Sequence, residues 1–255
     1  MKTQAITLVL SFVVSGAVLA AGAPVGNQFS SGQPARAADV NENFQELADR
    51  IDSSAPTVGY TVNENLTSRT FADITPASAG ACDQRVDTFA FNAGANTFEQ
   101  NVVIGNSSDT SVCEEYDFSW NYATDLLNTG YSISVSNGSN VNWVFGLSSG
   151  WLYLKAQMRV GESWASHNDR TISIDGGAST SILPEYYKMT LAGYKDISVT
   201  AGDFQNCLMI DAIRWSSGSS EHRIYFYCDG PGLTRYINLT NGNDWQLQSY
   251  STALD

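Results

Sequence analysis

Histidine is scarce in this chain, and the residues on which many metal and redox sites depend are few. The 255 residues include two histidines, His167 and His222, and four cysteines without a Cys-x-x-Cys pair. Two histidines that are not closely spaced leave few ligands for zinc, and a redox motif needs two neighbouring thiols. The sequence therefore predicts no metal or redox centre built from histidine and cysteine.

Basic residues are also few. The chain has 13 Lys and Arg against 26 Asp and Glu, a formal net charge of −13. An acidic surface repels phosphate groups, so we expect neither nucleic acid nor an anionic membrane as a partner. Charged residues make up only 15% of the chain. With abundant Ser, Thr, Asn and Gly, this composition is typical of an exported β protein with neutral polar faces.

The chain lacks an apolar run long enough for a comfortable membrane span, which needs about 20 residues. Its most apolar stretch, residues 5–19, follows Lys2 and precedes small residues. This order predicts a signal peptide over residues 1–23, cut after Ala20 or Ala23; the alternative is an uncleaved N-terminal anchor. We expect an exported protein, extracellular or periplasmic, with no membrane span after signal removal.

The four cysteines, Cys82, Cys113, Cys207 and Cys228, all follow the predicted signal. An even number of cysteines in an exported chain favours disulfides. Of the three pairings that four cysteines allow, sequence geometry favours Cys82–Cys113 with Cys207–Cys228.

The second of these pairs has a specific argument. Two β-like runs flank residues 216–220, whose letters SSGSS are typical of a hairpin turn. With the turn there, Cys207 lies opposite Cys228, and the same register places Arg214 opposite Glu221. Residues opposed in this way are about 4.5–5.5 Å apart, a distance that suits a disulfide.

One segment of the mature chain shows clear helical periodicity. Val40, Phe44, Leu47 and Ile51 recur at steps of four, three and four, which is an a/d seam. An isolated helix of this length is marginal in water, so it must pack against copies of itself or against its own β domain. Residues 24–56 are accordingly interpreted as a helical stem and linker.

Residues 33–47 read QPARAADVNENFQEL. This run resembles a short motif that follows the signal in many exported proteobacterial proteins, and its Asn-x-x-Phe-x-x-Leu pattern is similar to segments of phage tail fibres. In such contexts the resemblance implies a small trimeric coil that gathers β-rich heads. A homotrimer is therefore the expected assembly.

From residue 57 to residue 255, β-branched and aromatic runs alternate with turn clusters, which predicts one mainly β domain. The expected architecture is an antiparallel β-sandwich or a large curved sheet, preceded by one short N-terminal helix. The predicted strands are 57–62, 88–91, 97–104, 131–135, 141–145, 151–158, 171–174, 186–191, 195–199, 207–213, 222–228, 233–239 and 244–250.

A second resemblance covers about residues 153–250. Residues 160–164 read VGESW, residues 201–204 read AGDF, and residues 230–233 read GPGL. This order resembles a β domain of uncharacterised exported bacterial proteins and lipoproteins, although Lys195 and Asp196 stand near that pattern's acidic position. The resemblance implies a sheet that curves over a core, and it implies no reaction.

Candidate catalytic groupings are His167 with Ser166 and Asp169, and His222 with Glu221 and Asp211. A triad needs a nucleophile within hydrogen-bond reach of its base, and we identify no motif that places one beside either histidine. A secreted hydrolase therefore ranks third among the hypotheses. Ca²⁺ is the one cofactor considered, because acidic residues cluster at positions 109–117, without the regular spacing of a calcium loop.

Aromatic residues offer two alternatives. Large aromatics usually fill a β core, but flat rings with amide neighbours also suit the apolar faces of sugars. The candidates for ligand binding are Trp120, Trp143, Trp151 and Trp245. The leading hypothesis is an exported, non-enzymatic surface, matrix or binding component that oligomerises through its stem. A glycan-binding module using exposed aromatics is the alternative.

Overall fold

The computed structural model describes residues 36–54, 57–75, 82–136, 138–177, 181–216 and 218–253. The predicted signal peptide lies outside these ranges. The chain divides into two units, Met1–Ala55 and Pro56–Asp255. Among the described residues, no helix is both long and apolar enough to cross a membrane.

The described residues of the first unit form one helix, α1, at Ala37–Ser54. Val40 and Phe44 are one turn apart on this helix, so they share a face. Val40 is half-buried, whereas 67% of Phe44 is exposed. Leu47 and Ile51, the other two predicted seam residues, have side chains outside the described set.

The second unit is almost entirely antiparallel β-structure. A short 3-10 helix at Ala93–Ala95 lies between two of the strands. The strands are β1 Thr57–Gly59, β2 Leu66–Asp73, β3 Gln84–Asn92, β4 Thr97–Gly105, β5 Val112–Asn121, β6 Leu126–Ser136, β7 Ser139–Leu154, β8 Gln157–Arg159, β9 Ser163–Ile174, β10 Ser181–Val199, β11 Gly202–Ser216, β12 Ser219–Cys228, β13 Gly232–Asn238 and β14 Asp244–Thr252.

Twelve of these strands form one closed barrel. Neighbours in the barrel are neighbours along the chain, except that β8 leaves the series to pair with β1. The last strand, β14, pairs with the first, β2, from Trp245 opposite Asp73 to Thr252 opposite Leu66. The predicted mainly β, antiparallel architecture with one N-terminal helix is confirmed, and the large curved sheet closes on itself.

Alternation along the strands divides the barrel into an aromatic interior and a mostly polar exterior, with one separate apolar cluster on the outer face around Ile197, Phe226 and the Cys207–Cys228 disulfide. On β4, Phe98 and Val102 are buried inside, while Glu99 and Asn101 lie on the outer face. The largest buried rings of the interior are Phe71, Phe98, Trp120, Trp151, Trp164, Tyr187, Tyr225, Tyr227, Tyr236 and Trp245. An eight-stranded barrel is just wide enough for side chains to fill, so twelve strands leave space around these rings.

One end of the barrel is filled by the segment before β2 together with β8. Met158 of β8 is completely buried in the core. Tyr60 packs edge-on against Tyr227 with ring centroids 5.6 Å apart, and the Asn63 side-chain amide donates to the carbonyl of Gly230 at 2.9 Å. We call residues 57–65 and β8 the plug.

Both predicted disulfides are confirmed. Cys82 is bonded to Cys113, and Cys207 to Cys228. The register predicted for the second pair is also confirmed, because Arg214 lies opposite Glu221 on β11 and β12. The predicted strands omitted β2 and β5, two complete strands of the barrel.

Candidate ligand-binding lumen

The half of the barrel away from the plug encloses a cavity of about 690 Å³, which we call the outer chamber. Its wall combines aromatic rings with arginines, and near the β13–β14 turn it includes Asn241 and Asn243. Ile174, at the end of β9, also lines the chamber and is 48% exposed, so the chamber extends to the barrel rim. Ligand pockets typically have volumes of about 300–1,000 Å³.

A smaller cavity of about 160 Å³, the inner chamber, lies between this space and the plug. Tyr60, Val62 and Asn63 of the plug line it. The following residues line both chambers and form a waist between them: Arg85, Phe118, Tyr153, Arg223 and Tyr236.

The lumen holds a buried ionic cluster around Asp87. Asp87 is completely buried, and its Oδ2 lies 2.8 Å from Arg69 Nη2 while its Oδ1 lies 2.6 Å from Arg85 Nε. Gln100 donates a further hydrogen bond to Oδ2 at 2.9 Å. Burial alone would raise the pKa of Asp87, but the two arginines hold it below its usual value. The cluster thus keeps Asp87 ionised inside the barrel.

A second ionic cluster crosses the wall of the outer chamber. Glu185 is completely buried, and its Oε1 lies 2.9 Å from Arg170 Nη1 and 2.7 Å from Arg214 Nη2. Glu221 Oε2 lies 3.6 Å from Arg214 Nη1 and 2.7 Å from Arg223 Nη2. These five residues, which we call the arginine wall, alternate in charge from β9 to β12 and contain three cations and two anions.

Tyrosines near these arginines are held in the neutral form. Burial raises the pKa of Tyr187, Tyr227 and Tyr236 above the usual value. Burial alone would lower the pKa of Arg214, but Tyr187 and Glu185 beside it raise it. The lumen therefore presents charged guanidinium groups and uncharged phenols at neutral pH.

The structure places the four tryptophans singled out above in the lumen. Trp120, Trp151 and Trp245 are 8%, 4% and 5% exposed, and Trp143 is half-buried in the outer-chamber lining. The core alternative is confirmed for the first three, which form no exposed sugar platform. Because the cavities still touch all four rings, a role in ligand binding remains a prediction.

Neither histidine has the surroundings that the hydrolase hypothesis needs. His167 and Ser166 are consecutive on β9, so their side chains point to opposite faces of the sheet. His222 Nε2 lies 2.6 Å from Asp211 Oδ1 on the outer face, although the two residues are not directly opposed. This pair is diagonal across β11 and β12, away from the lumen.

Most of the acidic segment considered for calcium is strand: Asp109 lies in the turn between β4 and β5, and the other three acidic residues lie in a strand. Glu114, Glu115 and Asp117 belong to β5, where alternation turns Glu114 inward and the other two outward. Glu115 and Asp117 both accept hydrogen bonds from the Asn101 side chain. Within the described ranges, no group of three or more His, Cys, Asp or Glu residues is arranged to hold a metal ion.

One further pattern has the letters of a hydrolase nucleophile motif. Residues 146–150 read GLSSG, which fits Gly-x-Ser-x-Gly. That motif works at a sharp strand-to-helix turn, whereas residues 146–150 lie inside strand β7. The side chains of Ser148 and Ser149 are outside the described set.

The exterior of the barrel carries a short row of aromatic rings. His167 stacks on Tyr186 with centroids 4.4 Å apart and planes 12° apart, and Trp215 is the register partner of Tyr186 on β11. Tyr186 is 48% exposed and Trp215 is 41% exposed. We call these three residues the outer row.

The buried arginines were not predicted from the sequence. Five arginines among the described residues line the lumen: Arg69, Arg85, Arg170, Arg214 and Arg223. A signal was available on β12, where Glu221 and Arg223 alternate in step with Tyr225 and Tyr227 and so share their face. Charges in step with aromatics indicate a polar network inside the sheet rather than a solvated face.

Comparison with known proteins gives no relative: no family model, curated protein or solved structure matches the chain.

Proposed function

We propose that this chain is an exported binding protein that holds a small, flat, largely apolar ligand in the outer chamber of its barrel. The observation that carries the proposal is the cavity of about 690 Å³, lined by aromatic rings and a few polar groups. Pockets with that volume and lining are the usual form of small-molecule sites.

The shape of the barrel supports a ligand inside it. The plug fills one end, and the outer chamber reaches the opposite rim at Ile174. Tyr131 and Phe145 stack at 4.4 Å with planes 13° apart, which gives the wall a flat apolar surface. A flat ring entering from the rim would lie against that surface and lose its contact with water.

The charges of the lumen favour binding over catalysis. Asp87 and Glu185 each pair with two arginines. Glu114, which also lines the outer chamber, accepts a hydrogen bond from Tyr116 Oη at 2.7 Å. None of these three carboxylates is therefore placed as a free general base. Both histidines lie on the outer face. The groups that contact the chamber are suited to orient a ligand.

The test uses N-phenyl-1-naphthylamine, an uncharged aromatic probe that fluoresces in apolar surroundings. We expect it to bind the folded protein and to accept energy from the tryptophans of the chamber. Ile172→Trp should weaken this binding strongly because Ile172 lines the outer chamber. Thr171→Trp is the matched control, since the neighbouring side chain is exposed on the outer face. If the wild-type protein does not bind the probe, or if both variants bind it equally well, the proposal is wrong.

Export is part of the proposal. Both disulfides are formed, which suits an oxidising compartment. Fractionation of cells that express the full chain should find the protein in the periplasm or the medium. A protein found reduced in the cytoplasm would contradict this part.

Self-association through α1 is proposed for the assembly. The supporting observation is Phe44, a large apolar side chain that is 67% exposed on the helix face it shares with Val40. Light scattering should give a trimer for the mature protein and a smaller mass for Phe44→Ser. Asn41→Ser, a polar change on the same helix, is the control. A monomeric wild type would overturn the stem hypothesis.

Glycan binding remains the second candidate because of the outer row. Two neighbouring exposed rings, Tyr186 and Trp215, form a surface on which a pyranose could stack. Soluble oligosaccharides should then quench tryptophan fluorescence and raise the melting temperature, and Trp215→Ala should abolish both effects. Tyr250→Ala, an exposed aromatic on another strand, is the control. Sugars without effect on the wild type would exclude this candidate.

A further inference from the structure

The arginine wall carries the observation that goes beyond a general apolar pocket. Arg170, Arg214 and Arg223 all line the outer chamber. Within the arginine wall they face two carboxylates, Glu185 and Glu221, so the wall has an excess of one positive charge. This excess stands in a chain whose formal net charge is −13.

Hydrogen-bond donors on this wall are also in excess. Arg170, Arg214 and Arg223 each have a buried Nε with no hydrogen-bond partner among the described residues, and so does Trp151 Nε1. Among the described residues, the buried carboxylate oxygen of this wall that lacks a partner is Glu185 Oε2. A buried donor left without a partner is unfavourable for the folded state. These four nitrogen atoms are themselves covered, but 13%, 24% and 26% of the side-chain surfaces of Arg170, Arg214 and Arg223 remain accessible, and a ligand that supplies acceptor atoms would bind there.

The side chains of the wall are held in place before any ligand binds. Arg170 Nη1 donates to Tyr131 Oη at 2.9 Å, and its guanidinium lies over Phe145 at 4.9 Å from the ring centroid. Arg223 Nη1 donates to Tyr225 Oη at 3.3 Å. Because these guanidinium groups are already ordered, a ligand that contacts them pays little further side-chain entropy.

Resting on the proposed lumen-binding function, we propose that the ligand carries an anionic group, a carboxylate, sulfonate or phosphate, that binds against Arg170, Arg214 and Arg223. Its flat apolar part lies on the stacked rings of Tyr131 and Phe145. Guanidinium groups suit such anions because they donate several hydrogen bonds in a planar arrangement. The five residues of the arginine wall thus form an anion subsite at one side of the aromatic chamber.

The experiment compares two probes that share one scaffold. 8-Anilino-1-naphthalenesulfonate is N-phenyl-1-naphthylamine with one added sulfonate, so the difference in their dissociation constants measures the contribution of the anion. We expect the sulfonate to bind the wild type at least about tenfold more tightly. Ile172→Trp should weaken the binding of both probes, which checks that both occupy the chamber.

Variants of the wall then locate the anion. Arg214→Gln and Arg223→Gln should each weaken binding of the sulfonate by about tenfold, the change for one charge-assisted hydrogen bond, and weaken binding of the neutral probe by a clearly smaller factor. Arg235→Gln is the matched control, since Arg235 pairs with Asp244 and alternates with the inward-facing Tyr236. If one glutamine variant fails to fold, the other variant and the wild-type comparison still decide.

The outcomes separate the two proposals. If the neutral probe binds in the chamber and the sulfonate binds no more tightly, the anion subsite is wrong and the lumen-binding function stands. The same holds if both wall variants leave sulfonate affinity unchanged. If neither probe binds the folded wild type, the lumen-binding function itself is overturned.

Discussion

Arg69 and Asp87 face each other across β2 and β3 inside the barrel, with Arg69 Nη2 2.8 Å from Asp87 Oδ2. The pair also connects the barrel wall to its plugged end, because Arg69 Nη1 donates to the carbonyl of Pro231 at 3.1 Å. Both residues are buried, so the stability of this contact depends on each charge keeping its partner.

Asp87→Asn should destabilise the protein strongly. The substitution removes the carboxylate that neutralises Arg69 and Arg85, and leaving buried charges without a counterion costs about 3–5 kcal/mol. Urea unfolding should show this as a large fall in the midpoint. Asp169→Asn is the control. Asp169 is exposed, and its Oδ1 lies 3.8 Å from His167 Nε2, which is a weak contact. This substitution should change the free energy of unfolding by less than about 0.5 kcal/mol. Equal effects of the two substitutions would contradict the role given to Asp87.

Asp87 should also make stability depend on acid pH. Its pKa is lowered in the folded state by the neighbouring arginines, against the opposing effect of burial. Its stabilising contribution is therefore present above the unfolded carboxyl pKa of about 3.9 and is lost as the pH falls through the lower folded value. The difference in unfolding free energy between wild type and Asp87→Asn should shrink below about pH 4. A difference that stays constant across that range would refute the assignment.

At alkaline pH the buried tyrosines should make the folded protein less stable as the pH rises. Burial raises the pKa of Tyr187, Tyr227 and Tyr236, so the unfolded chain loses these protons near pH 10 while the folded barrel keeps them. Their contribution to the free energy of unfolding is complete below that pH and is lost as the pH rises toward the tyrosine pKa values of the folded protein. Ultraviolet difference spectra should show a group of tyrosines that ionise only together with the loss of circular dichroism. Simple titration of all twelve tyrosines around pH 10 would contradict this expectation.

These predictions depend on interior charges that the sequence did not reveal, whereas the disulfides were predictable. Cys207 and Cys228 belong to one hairpin, and a local turn sets their register. Closure of the barrel depends on β14 meeting β2, which joins residues about 180 positions apart and leaves no local signal. The sequence therefore predicts a large curved antiparallel sheet but does not show that it closes.

The candidate site illustrates the same limit. β5 was read as an acidic loop because Glu114, Glu115 and Asp117 interrupt its apolar positions. In the barrel, Glu114 faces inward with Tyr116, Phe118 and Trp120, whereas Glu115 and Asp117 point outward. Which charged residues meet inside a barrel depends on pairing across many strands, as with Glu185 of β10 and Arg170 of β9.

The two disulfides should differ in how readily they are reduced. Cys207 and Cys228 are 1% and 4% exposed, whereas Cys82 and Cys113 are half-buried and line the outer chamber near the rim. Because exchange requires access of a thiolate to sulfur, mild reductant should open Cys82–Cys113 first. Alkylation followed by mass spectrometry would identify the modified cysteines. Modification of Cys207 and Cys228 at the same rate would contradict the difference in access.

The plug gives the last prediction, through Gly232 at the β12–β13 turn. Gly232 has a φ of +71°, and an added Cβ would lie 3.0 Å from Tyr60 Oη and 3.4 Å from Arg69 Nη1. Gly242, in the next turn, has a φ of +86° and no atom within 4 Å of such a Cβ. Both alanine variants have the backbone cost of positive φ, about 1–2 kcal/mol. The difference between their free energies of unfolding therefore measures the crowding against Tyr60.

We expect Gly232→Ala to be the less stable of the two in urea unfolding, and Gly232→Ala with Tyr60→Phe to recover part of the difference. Tyr60→Phe removes the hydroxyl that the new methyl group would meet, while its ring keeps the edge-on contact with Tyr227. Recovery would show that the plug is seated against this turn, because Tyr60 and Gly232 are far apart along the chain. Equal stability of Gly232→Ala and Gly242→Ala would show that Tyr60 does not press on the turn in solution.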